Sequence, residues 1–108
     1  MPYEIVGHTA DLRMVVTGKN IEEMFSSALA GMMFFLEPKI PKNPRIMRRL
    51  IKVESLDKTA LLVDFLNDTL ALAQINKESY NEIILRNLTE TKIETEIIGY
   101  KIESFGGI

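Results

Sequence analysis

Four consecutive residues, His8-Thr9-Ala10-Asp11, place the single histidine of a 108-residue chain three positions from a carboxylate. They stand immediately before an alternating stretch, Leu12 to Thr17, where a strand begins and side chains can be aimed at a ligand. Asp11 is the first candidate for a chemical centre and His8 a supporting residue; a turn or strand-cap pair accounts for the same spacing without a ligand. Other chemistry is thin. The chain has no cysteine, which excludes thiolate metal sites and a cysteine nucleophile, so any metal must take oxygen ligands. No Ser-His-Asp spacing supports nucleophilic catalysis, and the six glycines are too scattered to form a phosphate-cradling loop. Asp64 and Asp68 lie one turn apart on a predicted helix, a spacing more typical of a solvated face than of an acid–base pair.

Charge is unevenly spread. Lys39, Lys42, Arg45, Arg48, Arg49 and Lys52 supply six of the thirteen basic residues within one stretch that holds no acid. The remainder is acidic, although the formal net charge is only −2. Such a run suits RNA phosphate or an acidic protein surface, and equally a solvated loop. No aromatic residue is interleaved with it, which argues against base stacking. The run is therefore read as a partner surface, with any RNA contact indirect or weak. At 46% apolar residues the chain fits one domain over 1–108 with a small core. Its longest apolar run, Ala28 to Leu36, falls far short of a bilayer span, and Met1-Pro2-Tyr3-Glu4 lacks the features of a signal peptide. These features predict a cytoplasmic protein with no membrane partner.

Two helices must position whatever the first residues do. Asn20, with Glu23 three positions on, reads as a cap, and Met24, Phe25, Ala28, Leu29, Met32, Met33 and Leu36 recur on one face up to Pro38. Asp57 repeats the device, with Leu61, Leu62, Phe65, Leu66, Leu70 and Ala73 behind it. The methionines at this spacing predict core filling rather than a binding groove. Strands are expected at Leu12 to Thr17, around Leu50 to Val53, at Ile83 to Leu88, and at Ile93 to Ile97. The last two are predicted to pair through the turn Thr89-Glu90-Thr91. Pro38 to Pro44 reads as a connection, and Phe105-Gly106-Gly107-Ile108 as no regular element.

The strand, turn, cap and apolar stripe that lead from Val16 through Asn20 recur from Val53 through Asp57, which suggests a duplicated β-α-β-β unit. The predicted class is α+β, two helices packed on a mixed or antiparallel sheet. Ferredoxin-like and ACT-like regulatory domains share a βαββαβ rhythm, so a small-ligand or protein-binding module is an alternative function.

The residues also carry a resemblance. His8-Thr9-Ala10-Asp11, Gly18 to Phe25 and Ala28 to Met32 resemble the N-terminal signature of the archease family. Val53 to Asp57 with Ala60 to Asp68 resembles that family's second helix, and Lys92 to Tyr100 resembles a later strand that ends in a glycine. The resemblance implies a non-enzymatic cofactor of a tRNA-splicing RNA ligase, one that promotes guanylylation and turnover of that enzyme. It also implies a divalent metal, with calcium the ion to expect, and Asp11 as a ligand. A strand-start carboxylate suits a hard cation, whereas His8 orients the loop better than it ligates calcium.

The family pattern continues through a Thr-Tyr-His segment and a last strand ending in an aspartate and one aliphatic residue, whereas this sequence stops at Ile108. The carboxylate expected to join Asp11 at the metal is then absent, unless Gly107-Ile108 align with the family's end, where only a carbonyl or the terminal carboxylate of Ile108 substitutes for it. An incomplete sheet would also expose an edge, at Lys92 to Ile102 or at the first strand, and this predicts a homodimer or swapped assembly.

Overall fold

A computed structural model of the chain describes residues 3–7, 12–16 and 20–107, the first two segments as backbone. Nine elements follow in order: β1 (Tyr3–Gly7), β2 (Leu12–Val16), α1 (Ile21–Leu36), β3 (Pro38–Lys39), β4 (Ile46–Glu54), α2 (Lys58–Asn76), β5 (Glu78–Leu88), β6 (Lys92–Lys101) and β7 (Ser104–Phe105). The class is α+β, with two helices packed on antiparallel sheets; every described strand pair is antiparallel.

The helices start where their caps predict. Asn20 is extended, and its side-chain oxygen accepts from the Glu23 N–H at 2.8 Å. Asp57 does the same for Ala60 at 2.8 Å. Each cap satisfies one of the N–H groups that a helix start leaves without a partner. Phe25, Ala28, Leu29, Met33 and Leu36 of α1, with Leu61, Phe65 and Ala73 of α2, are buried against the sheet. The rings of Phe25 and Phe65 join the two helices with centroids 5.3 Å apart. Met33 is core filling, as expected, and its sulfur accepts from the Ser79 hydroxyl at 3.7 Å.

The main sheet has the order β4-β6-β5. The hairpin of β5 and β6 turns where it was expected, with the Thr89 N–H donating to the Lys92 carbonyl at 2.8 Å. Four expectations change. Lys92 to Lys101 is the central strand, bonded on both sides, and not the exposed edge on which self-pairing was predicted. Ser104–Phe105 is a strand, pairing with Pro38–Lys39, so the tail is not irregular and the proline segment not wholly a connection. β4 and β5 extend further towards the N-terminus than their apolar runs, because Arg48, Arg49 and Glu78 interrupt the pattern without interrupting the ladder. The order of the long elements is ββαβαββ rather than βαββαβ. In it β4 both closes the first unit and opens the second, so the repeat is confined to strand, cap and helix.

Both helices end in a non-glycine residue with a left-handed backbone, Glu37 (φ 49°) and Lys77 (φ 54°). The segment after β6 meets those ends. The Lys101 ammonium donates to the Asn76 carbonyl, and the Ile102 N–H donates to the Lys77 carbonyl at 2.9 Å. Gly106 and Gly107 donate to the carbonyls of Glu37 and Leu36 at 2.9 and 3.0 Å. A cation at a helix C-terminus and donors to its last carbonyls are the arrangement that a helix end requires.

Two substitutions test this packing. A Cβ at Gly99 would lie 1.7 Å from the Ser79 carbonyl oxygen, a backbone atom that cannot swing aside. Gly99→Ala should cost roughly 3 kcal/mol in urea unfolding. The Thr69 hydroxyl is fully buried and has no hydrogen-bond partner among the described residues. Thr69→Val, nearly the same shape without the stranded hydroxyl, should stabilise by about 1 kcal/mol in the same assay.

Candidate functional site

The connection His8 to Asp11 lies outside the described residues, as does Ile108. What surrounds the connection is described: Gly7 and Leu12 are opposite each other in the antiparallel ladder of β1 and β2. β2 begins at Leu12, as the alternation from that residue predicts, and both β1 and β2 pack against α1. Among the described residues no group of three or more histidine, aspartate or glutamate side chains is placed to hold a metal ion.

The basic run is divided by the pleat of β4. Alternate side chains of a strand point to opposite faces, so Arg48 and Lys52 project to solvent while Arg49 turns toward the helices with Ile51 and Val53. All three meet acids of the same sheet, Arg48 and Lys52 on the neighbouring strand β6 and Arg49 on β5 beyond it. Arg48 reaches Glu96 at 3.4 Å and Lys52 reaches Glu94 at 3.9 Å, both exposed pairs of little energetic weight. Lys39, Lys42 and Arg45 belong to the segment that leads into β4 and have no ion pair among the described residues. Within β4, Arg49 faces away from Arg48 and Lys52.

Arg49 does something the sequence did not signal. Its Nε and Nη2 donate to both oxygens of Glu78 at 2.9 and 2.7 Å, and the Tyr80 hydroxyl donates to Glu78 Oε1 at 2.5 Å. Glu78 is fully buried, as is Tyr80, whereas Arg49 is 36% exposed. Arg49 belongs to β4 and Glu78 to β5, two strands that are not neighbours, so the ion pair spans the central strand. Burial alone would raise the Glu78 carboxyl, but the hydrogen bonds from Arg49 and Tyr80 and the guanidinium charge prevail and hold it below its ordinary value. Burial, and then its bond to Glu78, push the Tyr80 hydroxyl above its ordinary value. This triad is saturated by its own members, which makes it a structural clamp.

Of the two helix acids, Asp64 accepts from the Ser55 hydroxyl at 2.5 Å and so ties α2 to the end of β4. Asp68 lines a groove beside β4 with Leu50, Ile51, Lys52, Ala71, Leu72 and Ile75. The two are not brought together as an acid–base pair.

The model of the Archease protein family (MTH1598/TM1083) matches residues 3–105. The chain belongs to the archease family. Protein archease of Methanosarcina barkeri is 34% identical over 95 residues, which cover 88% of this chain and 64% of that protein. Protein archease of Methanosarcina mazei is 30% identical with the same coverage. The chain thus spans 64% of the length of these archeases. The solution structure of Methanobacterium thermoautotrophicum protein 1598 superposes with a TM-score of 0.67 at 19% identity, covering 98% of this chain and 76% of that one. That likeness shows the archease fold. No helix among the described residues is long and apolar enough to cross a membrane.

The clamp yields a prediction with a definite sign. Arg49→Met leaves the Glu78 carboxylate buried without its counter-charge and should cost about 3 kcal/mol at pH 7, the low end for a broken buried pair because Arg49 is partly exposed. The lowered Glu78 pKa means that its contribution is present above the unfolded carboxylate value and lost as pH falls through the folded one. The variant instead gains when its stranded carboxylate is protonated. The stability gap between wild type and Arg49→Met should therefore narrow when urea unfolding is repeated near pH 4.

Proposed function

We propose that this chain acts in the cytoplasm as a protein cofactor of a tRNA-splicing RNA ligase, promoting the ligase's guanylylation and turnover and joining no RNA itself. The observation that carries this reading is the match of the archease family model to residues 3–105. The saturated triad supports it too. Among the described residues the best-organised set of ionisable groups, Arg49, Glu78 and Tyr80, is spent on internal hydrogen bonds. Contact with RNA is indirect on this reading and runs through the ligase.

A divalent ion, calcium by the chemistry of carboxylate ligands, belongs to the same proposal through Asp11, with His8 supporting the loop. The described residues do not supply a fitting donor set. The proposed role of the chain is therefore assigned to protein contact, with no step passing through the ion.

The test mixes the protein with a purified tRNA-splicing RNA ligase, GTP and manganese, and follows covalent guanylylation of the ligase. Wild-type protein should raise its rate and extent several-fold, and Asp11→Ala tests separately whether the ion takes part. Absence of stimulation by wild type rejects the cofactor role. Stimulation that survives Asp11→Ala removes the ion from the proposal and keeps the partner.

A further inference from the structure

β4 is an edge strand whose far side no described strand covers. Its hydrogen-bond phase follows from two bonds at its ends. The Lys101 N–H donates to the Arg45 carbonyl at 2.9 Å, the Ser55 N–H donates to the Thr91 carbonyl at 2.8 Å, and the register between them is unbroken. In an antiparallel ladder alternate residues bond the same neighbour. Met47, Arg49, Ile51 and Val53 therefore bond β6, while Ile46, Arg48, Leu50, Lys52 and Glu54 turn their N–H and C=O groups away from it. Along this open edge runs the groove between Leu50, Ile51 and Lys52 of β4 and Asp68, Ala71, Leu72 and Ile75 of α2. Leu50 is 49% and Ile75 79% exposed, apolar surface beside unpaired backbone groups.

We propose that the β4 edge is a docking site for an extended, acidic segment of a partner protein, which adds to the sheet as a further strand. The bonds to the backbone of Arg48, Leu50 and Lys52 provide the attachment, as in other cases of strand addition. Pleating sets the pattern of the incoming segment. Residues opposite Arg48 and Lys52 share their exposed face and are acidic, competing there with Glu96 and Glu94, which hold the two cations only in weak solvent-exposed pairs at 3.4 and 3.9 Å; the residue between them meets Leu50 and is apolar, and the alternate residues turn toward the Ala71, Leu72 and Ile75 side and are apolar as well. The motif is acid–apolar–apolar–apolar–acid. Asp68 on the groove wall disfavours an acid at the alternate positions. A second copy fits less well. Residues 45–54 hold Arg45, Arg48, Arg49 and Lys52 against Glu54 alone, and the fully overlapping self-pairing sets Arg48 opposite Lys52 of the other copy, a destabilising like-charge pair. This inference does not depend on the ligase reading.

Two variants test it without disturbing the clamp. Leu50→Pro removes an N–H that the β4–β6 ladder does not use, a tolerated change on an edge strand, and it blocks an added strand. Arg48→Glu with Lys52→Glu reverses the charge of the edge. The probe is a fluorescein-labelled peptide with the core Glu-Val-Leu-Val-Glu, read by anisotropy against a scrambled control. Thermal melts of each variant report folding. Wild type should bind the probe and not the control; Leu50→Pro should weaken binding about tenfold or more, and the charge-reversed variant should prefer a Lys-Val-Leu-Val-Lys core. If Leu50→Pro fails to fold, the charge-reversed variant decides alone. Absence of wild-type binding, equal binding by the scrambled control, or unchanged preference after charge reversal overturns the proposal. So does a dimer in sedimentation that Leu50→Pro dissociates, which would make a second copy the occupant. Displacement of the probe by a single-stranded RNA that binds Leu50→Pro as well as wild type would show a phosphate site instead.

Discussion

A carboxylate removed entirely from water must find its compensation within the protein, and Glu78 finds it in Arg49 and Tyr80. Because Arg49 lies two strands away, the pair fixes β4 and β5 relative to each other across β6. That fixed order decides the rest: which strand is central, which edges are open, and which face of β4 the helices cover. The fork of guanidinium on carboxylate carries angular information that a hydrophobic contact lacks, since both donors must meet both oxygens at once. Position and specificity, more than net stability, are what such a pair contributes.

Local devices were legible in the sequence because their physics is local. Asn20 and Asp57 cap their helices through bonds that reach only three residues along the chain, and the turn at Thr89 to Thr91 joins strands adjacent in sequence. The apolar stripes placed both helices on the sheet because a helix with one apolar face has few other ways to bury it. The segments that carry the family resemblance all lie within the stretch that the archease family model matches.

What was illegible is long-range. Nothing around Glu78 distinguishes it from a solvated strand-start acid, since Arg49 is 29 positions away. The basic run read as a single patch because a linear count ignores the pleat, which sends Arg49 one way and Arg48 and Lys52 the other. β3 and β7 are two residues each, too short to show alternation, and are defined by each other. Asp11 and His8, the residues that the sequence brought forward first, lie beyond what the structure describes, so the chemistry expected of them stands on the family likeness and on the paired positions of Gly7 and Leu12.

The segment that follows β6 attaches itself to the ends of both helices: Lys101 and Ile102 serve α2, and Gly106 and Gly107 serve α1. A ribosome releases α1 long before it polymerises Gly107. Until then the carbonyls of Leu36 and Glu37 lack these donors, and the last turn of α1 is left to water. Among the described elements, docking of β7 against β3 thus comes last in vectorial folding, and the terminal turns of two helices become protected from solvent exchange together with it.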